Sequence, residues 1–183
     1  MNKRARTRAR LSDVALELFE RHGFEQTTVA QIAAAADVTE MTFFRHFPAK
    51  HQVLFEDPYD EFIADAVAAQ PGELGPLRRA AGGLREAWAR VPEPDGDTVR
   101  RRVRIVAGTP SLRGEMWRNN AATERLVSDQ LIADGARPLR ARAAAAAVLA
   151  AVTAALLEWS VSEDAPLGDA VLTALDTLEG GDE

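Results

Sequence analysis

Leu11, Val14, Ala15, Leu18 and Phe19 recur at intervals of three and four, the period of one helix face, and predict an amphipathic helix. Its stop is written in Gly23, suited to the left-handed conformation, and in Phe24, which can pack back on the last turn. Thr28 followed three residues later by Gln31 makes a capping box for a second, short helix whose Val29, Ile32, Ala33 and Ala36 face inward. After Asp37 and Val38, Thr39 is a second N-cap, and the helix it opens runs through Phe47 until Pro48 stops it. Lys50 to Gln70 reads as a linking helix interrupted near Pro58, and 71–76 as a loop. Further helices are predicted at 77–91, 97–108, 112–134, 138–163 and 167–179, with breaks at 91–96 and 135–138. No segment alternates as a strand does, so the pattern predicts an all-α chain. It divides into a three-helix, helix-turn-helix domain over residues 1–52 and a larger helical domain over 53–183.

Composition adds exclusions. The 183 residues include no cysteine, which removes disulfides, zinc knuckles, iron–sulfur clusters and thiol nucleophiles and suits a reducing cytoplasm. No run of eighteen residues is purely apolar, so a soluble, cytoplasmic protein with no membrane partner is expected. The net charge of −6 resolves into +2 over residues 1–52 and −8 over the remainder. The first ten residues hold five basic side chains and no acid. They read either as a solvated tail or as a surface for phosphates.

A helix-turn-helix holds its second helix at a fixed angle and inserts that helix into the major groove. On the stretch from Thr39 to Phe47, Thr42, Arg45 and His46 share one face, while Val38, Phe43 and Phe47 turn toward the core. Hydroxyl, guanidinium and imidazole groups suit phosphates and base edges, and Lys50 stands where it can reach a phosphate. Glu40 can accept from cytosine N4, or simply favour the first turn through the helix dipole. Phe43, Phe44 and Phe47 read as core, with Phe44 the exception to watch. His22, His46 and His51 have no ligand-spaced companion, and no metal or cofactor is implied.

The strings Ala15-Leu16-Glu17-Leu18-Phe19, His22-Gly23-Phe24, Thr27-Thr28-Val29, Ile32-Ala33, Val38-Thr39 and Phe44-Arg45-His46-Phe47-Pro48-Ala49-Lys50 resemble the DNA-binding domain of the TetR family of repressors, across Leu11 to Leu54. The resemblance implies a homodimer that binds double-stranded DNA and a helical domain that binds a small-molecule effector and releases the operator. Residue by residue, it implies phosphate contacts at Thr28, Arg45, His46 and Lys50, and groove contacts from Glu40, Met41, Thr42 and Phe44 beside the capping Thr39. Phe44 stands where a tyrosine is common, Met41 where a glycine is frequent, Glu40 where a basic or neutral residue is usual, and Ala49 lacks a capping hydroxyl. The stretch Thr42 to Lys50 also resembles an actinobacterial subgroup, some of whose members sense fatty acyl-CoA, which points to a hydrophobic or acyl-CoA-like effector.

The helix from Leu139 to Trp159 is apolar nearly all round and rich in alanine. Such a helix needs partners on every side. Together with 167–178 it suits a four-helix interface between two subunits, and it equally suits an intrachain core. Phe62, Trp88, Val103, Val106, Met116 and Trp117 are candidate pocket lining, or plain core. Arg100, Arg101, Arg102 and Arg104 form either a solvated face or an anion partner. No nucleophile elbow or acid–base constellation supports an enzyme. A ligand-responsive regulator is therefore the expectation, with a constitutive DNA-binding dimer as the alternative.

Overall fold

A computed structural model describes residues 3–55, 60–90, 96–162 and 166–180. The interruption expected near Pro58 and the break at 91–95 lie outside them. The described residues are all-α: α1 (Lys3–His22), α2 (Val29–Ala35), α3 (Glu40–His46), a 3₁₀ turn (Lys50–Val53), α4 (Asp60–Ala68), α5 (Pro76–Arg90), α6 (Gly96–Gly108), a second 3₁₀ turn (Pro110–Leu112), α7 (Arg113–Ala133), α8 (Pro138–Val161) and α9 (Leu167–Leu178). Two expectations are corrected. The basic N-terminal segment is the first part of α1 rather than a tail. The linking helix expected from Lys50 opens as a single 3₁₀ turn, Lys50–Val53, and the next described helix is α4.

The chain divides into two compact units, Met1–Glu56 with Arg101–Glu115, and Asp57–Arg100 with Met116–Glu183. In the first, Leu11, Ala15, Leu16 and Phe19 of α1 meet Ile32, Ala33 and Ala36, with Phe43 and Phe47 fully buried below them. Gly23 takes a positive φ of 81°, and Phe24 returns to Phe19 at 5.1 Å between ring centroids, so the predicted stop is realised. The turn between α2 and α3 is a Schellman motif. Val38 N–H reaches Ala33 O at 2.9 Å and Asp37 N–H reaches Ala34 O at 3.1 Å. Asp37 sits at φ 53°, a left-handed position that aspartate tolerates better than most non-glycine residues.

Within this unit the second half of α6 lies against α1. Arg101 forks onto Glu20 with both bonds at 2.7 Å, and Arg102 donates to Ser12 Oγ at 2.8 Å. His51 faces Glu115 at 3.3 Å.

The second unit is built on small residues. Ala80, Ala81 and Gly83 let α5 press against α4, where a Cβ on Gly83 would stand 2.8 Å from the Val67 Cα. Ala141, Ala145 and Val148 of α8, with Val171 and Leu175 of α9, complete the core. Arg79 is buried there, its Nη2 donating to Asp134 Oδ2 at 2.5 Å and Val67 O at 3.2 Å while its Nε has no partner among the described residues. The hydrogen bonds from Gln130 and Arg79 hold the Asp134 carboxyl below the usual range.

Candidate functional site

The recognition segment owes its ends to its caps. Thr28 Oγ1 accepts from Gln31 N at 3.2 Å while Thr28 N–H donates to the Gln31 side chain at 2.8 Å, so the predicted capping box closes on both sides. Thr39 Oγ1 accepts from Thr42 N at 3.2 Å, and the Thr39 and Thr42 hydroxyls are 3.0 Å apart. At position 49, where no hydroxyl exists, Gln52 Oε1 reaches back to accept from Ala49 N at 3.0 Å.

The α3 faces follow the predicted period at Phe43, Phe47 and Arg45; Phe44, expected with the core, is half-exposed, and Thr42 and His46, expected on the exposed face, are half-buried. Phe43 is fully buried, edge-on to Phe44 and tilted against Phe47, each at 5.6 Å. Glu40, Met41 and Arg45 are exposed, Met41 by 75%, and Phe44 is half-exposed at 48%. An exposed methionine and phenylalanine on a helix of seven residues cost hydration unless something apolar, such as a thymine methyl, covers them. Thr28 and Thr39 are exposed, whereas Thr42, His46 and Lys50 are half-buried.

Two basic residues are held from within. Arg8 Nη1 donates to His46 O at 2.5 Å and its guanidinium lies 4.3 Å from the Phe47 ring, so the basic run of α1 caps the end of the recognition helix. Lys50 Nζ donates to Phe24 O at 2.7 Å and Thr27 O at 2.8 Å, over the Phe24 ring at 4.1 Å. Burial pushes its pKa down, against the opposing pull of Glu25. Lys50 therefore clamps the turn that presents Thr28, with one N–H left over. His46 is pushed below its ordinary value by burial and by the cations Arg4, Arg8 and Arg45. Arg8's role went unread because its partners are 38 residues away.

The six pocket candidates separate. Val103 and Val106 belong to the first unit, where Val106 is buried. In the second, Phe62 is 37% exposed on α4, and Trp88 packs against the core. Met116 and Trp117 line a groove of about 360 Å³ between α7 and α8, together with Asn120, Glu124, Thr153 and Leu157. The last four went unnamed in the sequence. The arginine run of α6 is neither a plain solvated face nor one anion site: Arg101 and Arg102 turn to α1, and Arg100 stacks on Trp159 at 4.5 Å.

A head with capped helices on either side of a tight turn, presenting a polar and basic face, defines a DNA-binding protein of the helix-turn-helix class. The family model for bacterial regulatory proteins of the tetR family matches residues 11–56, and that for the MftR C-terminal domain matches residues 74–183. The chain belongs to the TetR family. It is 37% identical over 129 residues to the HTH-type transcriptional regulator TcmR of Streptomyces glaucescens, covering 67% of this chain and 57% of TcmR. It is 32% identical over 116 residues to MftR of Mycobacterium tuberculosis, covering 60% and 56%. The chain thus spans just over half the length of these curated relatives. The SmeT–triclosan complex shares the fold at a TM-score of 0.63 and 19% identity, over 96% of this chain and 90% of that one; SmeT is the repressor of a Stenotrophomonas maltophilia multidrug efflux pump.

Proposed function

We propose that this chain is a cytoplasmic, homodimeric transcriptional repressor, without catalysis of its own, that leaves a palindromic operator when a small apolar or amphipathic effector binds. Residues 1–52 are its reading head and 53–183 its effector and dimerisation domain. The observation that carries this reading is the α3 face: Glu40, Met41, Phe44 and Arg45 are held out on a helix anchored by the fully buried Phe43 and Phe47. Thr28, Arg45, His46 and Lys50 supply the phosphate side, and Thr39 and Thr42 set the tip of the helix.

One such head makes too few base contacts for a selective site, so two are needed about one DNA turn, roughly 34 Å, apart. The body offers the means. α8 is long and apolar enough, by length and composition, to cross a membrane, with a third of its apolar window buried. Its surplus includes Leu139 at 81% and Val161 at 68% exposure, alongside Leu172 of α9 at 37%. In this reading a second copy covers that surface. SmeT's complex with triclosan supports an effector that is small and apolar. Release requires that the effector bind the DNA-free arrangement more tightly than the DNA-bound one.

Binding-site selection on random duplexes, paired with sedimentation, tests the reading. The expected result is a two-fold symmetric consensus and a dimer at micromolar concentration, with Leu172→Arg giving monomers and an operator affinity lower by about 10²–10⁴-fold. A monomer with no selected sequence would overturn it.

A further inference from the structure

Charges of one sign gather where the start of α1 meets the end of the recognition helix. From Lys3 to Arg10 the helix carries five basic side chains and no acid, and its buried residues begin only at Leu11. A helical stretch that is polar all round has no apolar face to hold it, and positive side chains in a first turn oppose the helix dipole. Folding alone gives these residues little reason to be basic.

One face of the stretch is directed at α3. Arg4 and Arg8 stand one turn apart on α1 and therefore share a face. Arg8 binds the His46 carbonyl, with its guanidinium over the Phe47 ring, which places that face against the last turn of the recognition helix. Arg4 is exposed one turn further out, and the charges acting on the His46 imidazole are Arg4, Arg8 and Arg45, with no acid among them. Arg6 and Arg10 lie two residues off this stripe, on the opposite face of α1. Like charges held together repel one another in the free protein, and an anion entering between them relieves the repulsion. A recognition helix reads bases with its N-terminal residues, so the groups packed on its last turn stand toward the groove's rim, where the phosphates are.

We propose that Arg4 is a further DNA-backbone contact, which together with Arg45 and His46 holds one operator phosphate between the start of α1 and the end of α3. The proposal rests on the DNA-binding reading above and adds to it a contact from outside the helix-turn-helix. Such a contact carries no base information. It strengthens binding to any sequence and fixes the register of the head on the duplex.

The slope of log K against log salt, measured with the full chain on a generic duplex and on the sequence obtained by selection, tests the proposal. Arg4→Gln should flatten the slope by about 0.9 for each head that loses its phosphate, and Arg4→Lys should keep it. Arg6→Gln with Arg10→Gln, which removes two charges from the opposite face, should flatten it less than the single Arg4→Gln. The melting temperature of Arg4→Gln should stay level or rise, because a repelling charge has gone. Replacing the operator phosphates one at a time by neutral methylphosphonate should reveal a position in each half-site that weakens binding of the wild type and leaves Arg4→Gln unaffected. An unchanged slope for Arg4→Gln, an equal or larger loss from the Arg6 and Arg10 pair, or a lower melting temperature accompanying the lost affinity would each overturn the proposal. Unchanged slopes on a two-fold symmetric consensus remove the Arg4 contact and leave the regulator. The slope contrast on a generic duplex, with no sequence selected, keeps the contact and removes the regulator.

Discussion

Residues 28–47 and residues 138–161 are both helical and both rich in apolar side chains, yet they differ in how tightly each position is specified. In the first segment the helix ends are tied by side chains, Thr28 with Gln31 and Thr39 with Thr42, and apolar and polar positions alternate with the helix period, so Phe43 is buried and Arg45 exposed. In α8 the ends have no side-chain cap and the apolar residues run all round. Leu149 is buried while its neighbour Ala150 is exposed, although the same alanine- and valine-rich run surrounds both. An amphipathic, capped helix declares its own inner face; an apolar one has its inner face chosen by its neighbours.

The sharpest break of that contrast is a pair of substitutions. Phe43→Ala should cost about 3–5 kcal/mol, because a fully buried ring between Phe44 and Phe47 leaves a cavity that a seven-residue helix cannot close. Arg142→Ala, at an exposed polar position of α8, should change stability by no more than about 0.5 kcal/mol. Thermal or urea unfolding of the two variants measures both, and comparable losses would erase the distinction between the segments.

The same contrast explains what the sequence could convey. The helix-turn-helix, its caps, the Gly23 stop and the burial of Phe43 and Phe47 were legible because each depends on residues within about four positions of one another. The start of α1 was not legible, since Lys3 to Arg10 has no apolar period; its helix is continuous with the amphipathic part, and Arg8 is tied to His46. Arg101 and Arg102 meet Glu20 and Ser12 across 81 and 90 residues, distances over which a charge run carries no address. In the groove, Met116 and Trp117 were noticeable as large apolar residues. Glu124 and Asn120 looked like ordinary polar helix positions until the fold set them beside α8.

Lys50 sharpens the comparison further, because its family role and its contacts differ. The resemblance implies a phosphate contact, while its ammonium is bonded to two carbonyls of the α1–α2 turn. Lys50→Ala should therefore lose about 1–3 kcal/mol of stability, as those carbonyls lose a charged donor. It should also flatten the slope of log K against log salt by about one unit, if the remaining N–H meets DNA. Lys50→Met keeps the apolar stem over Phe24 and separates the losses: a stable Lys50→Met protein with an unchanged slope would make the residue a clamp alone.

The smallest expected effect is a pH dependence at His46, and its two signs are opposite. In the free protein, burial and then Arg4, Arg8 and Arg45 hold the imidazole below its ordinary 6.5, so the unfolded chain takes up the proton first as pH falls. Stability is therefore lost through the window between the lowered folded value and 6.5, and is regained at higher pH. Phosphates drawn to the same three guanidiniums would screen them and favour imidazolium, so the DNA complex binds more protons than the free protein. By the same linkage, operator affinity rises as pH falls, by at most about tenfold for each unit by which the bound pKa exceeds the free one. Between pH 7.5 and 6, melting temperature should fall while affinity at fixed salt rises about two- to tenfold, and His46→Gln should flatten both. Affinity that falls together with stability would place His46 outside the phosphate interface and leave Arg45 as the exposed cation on α3 that meets DNA.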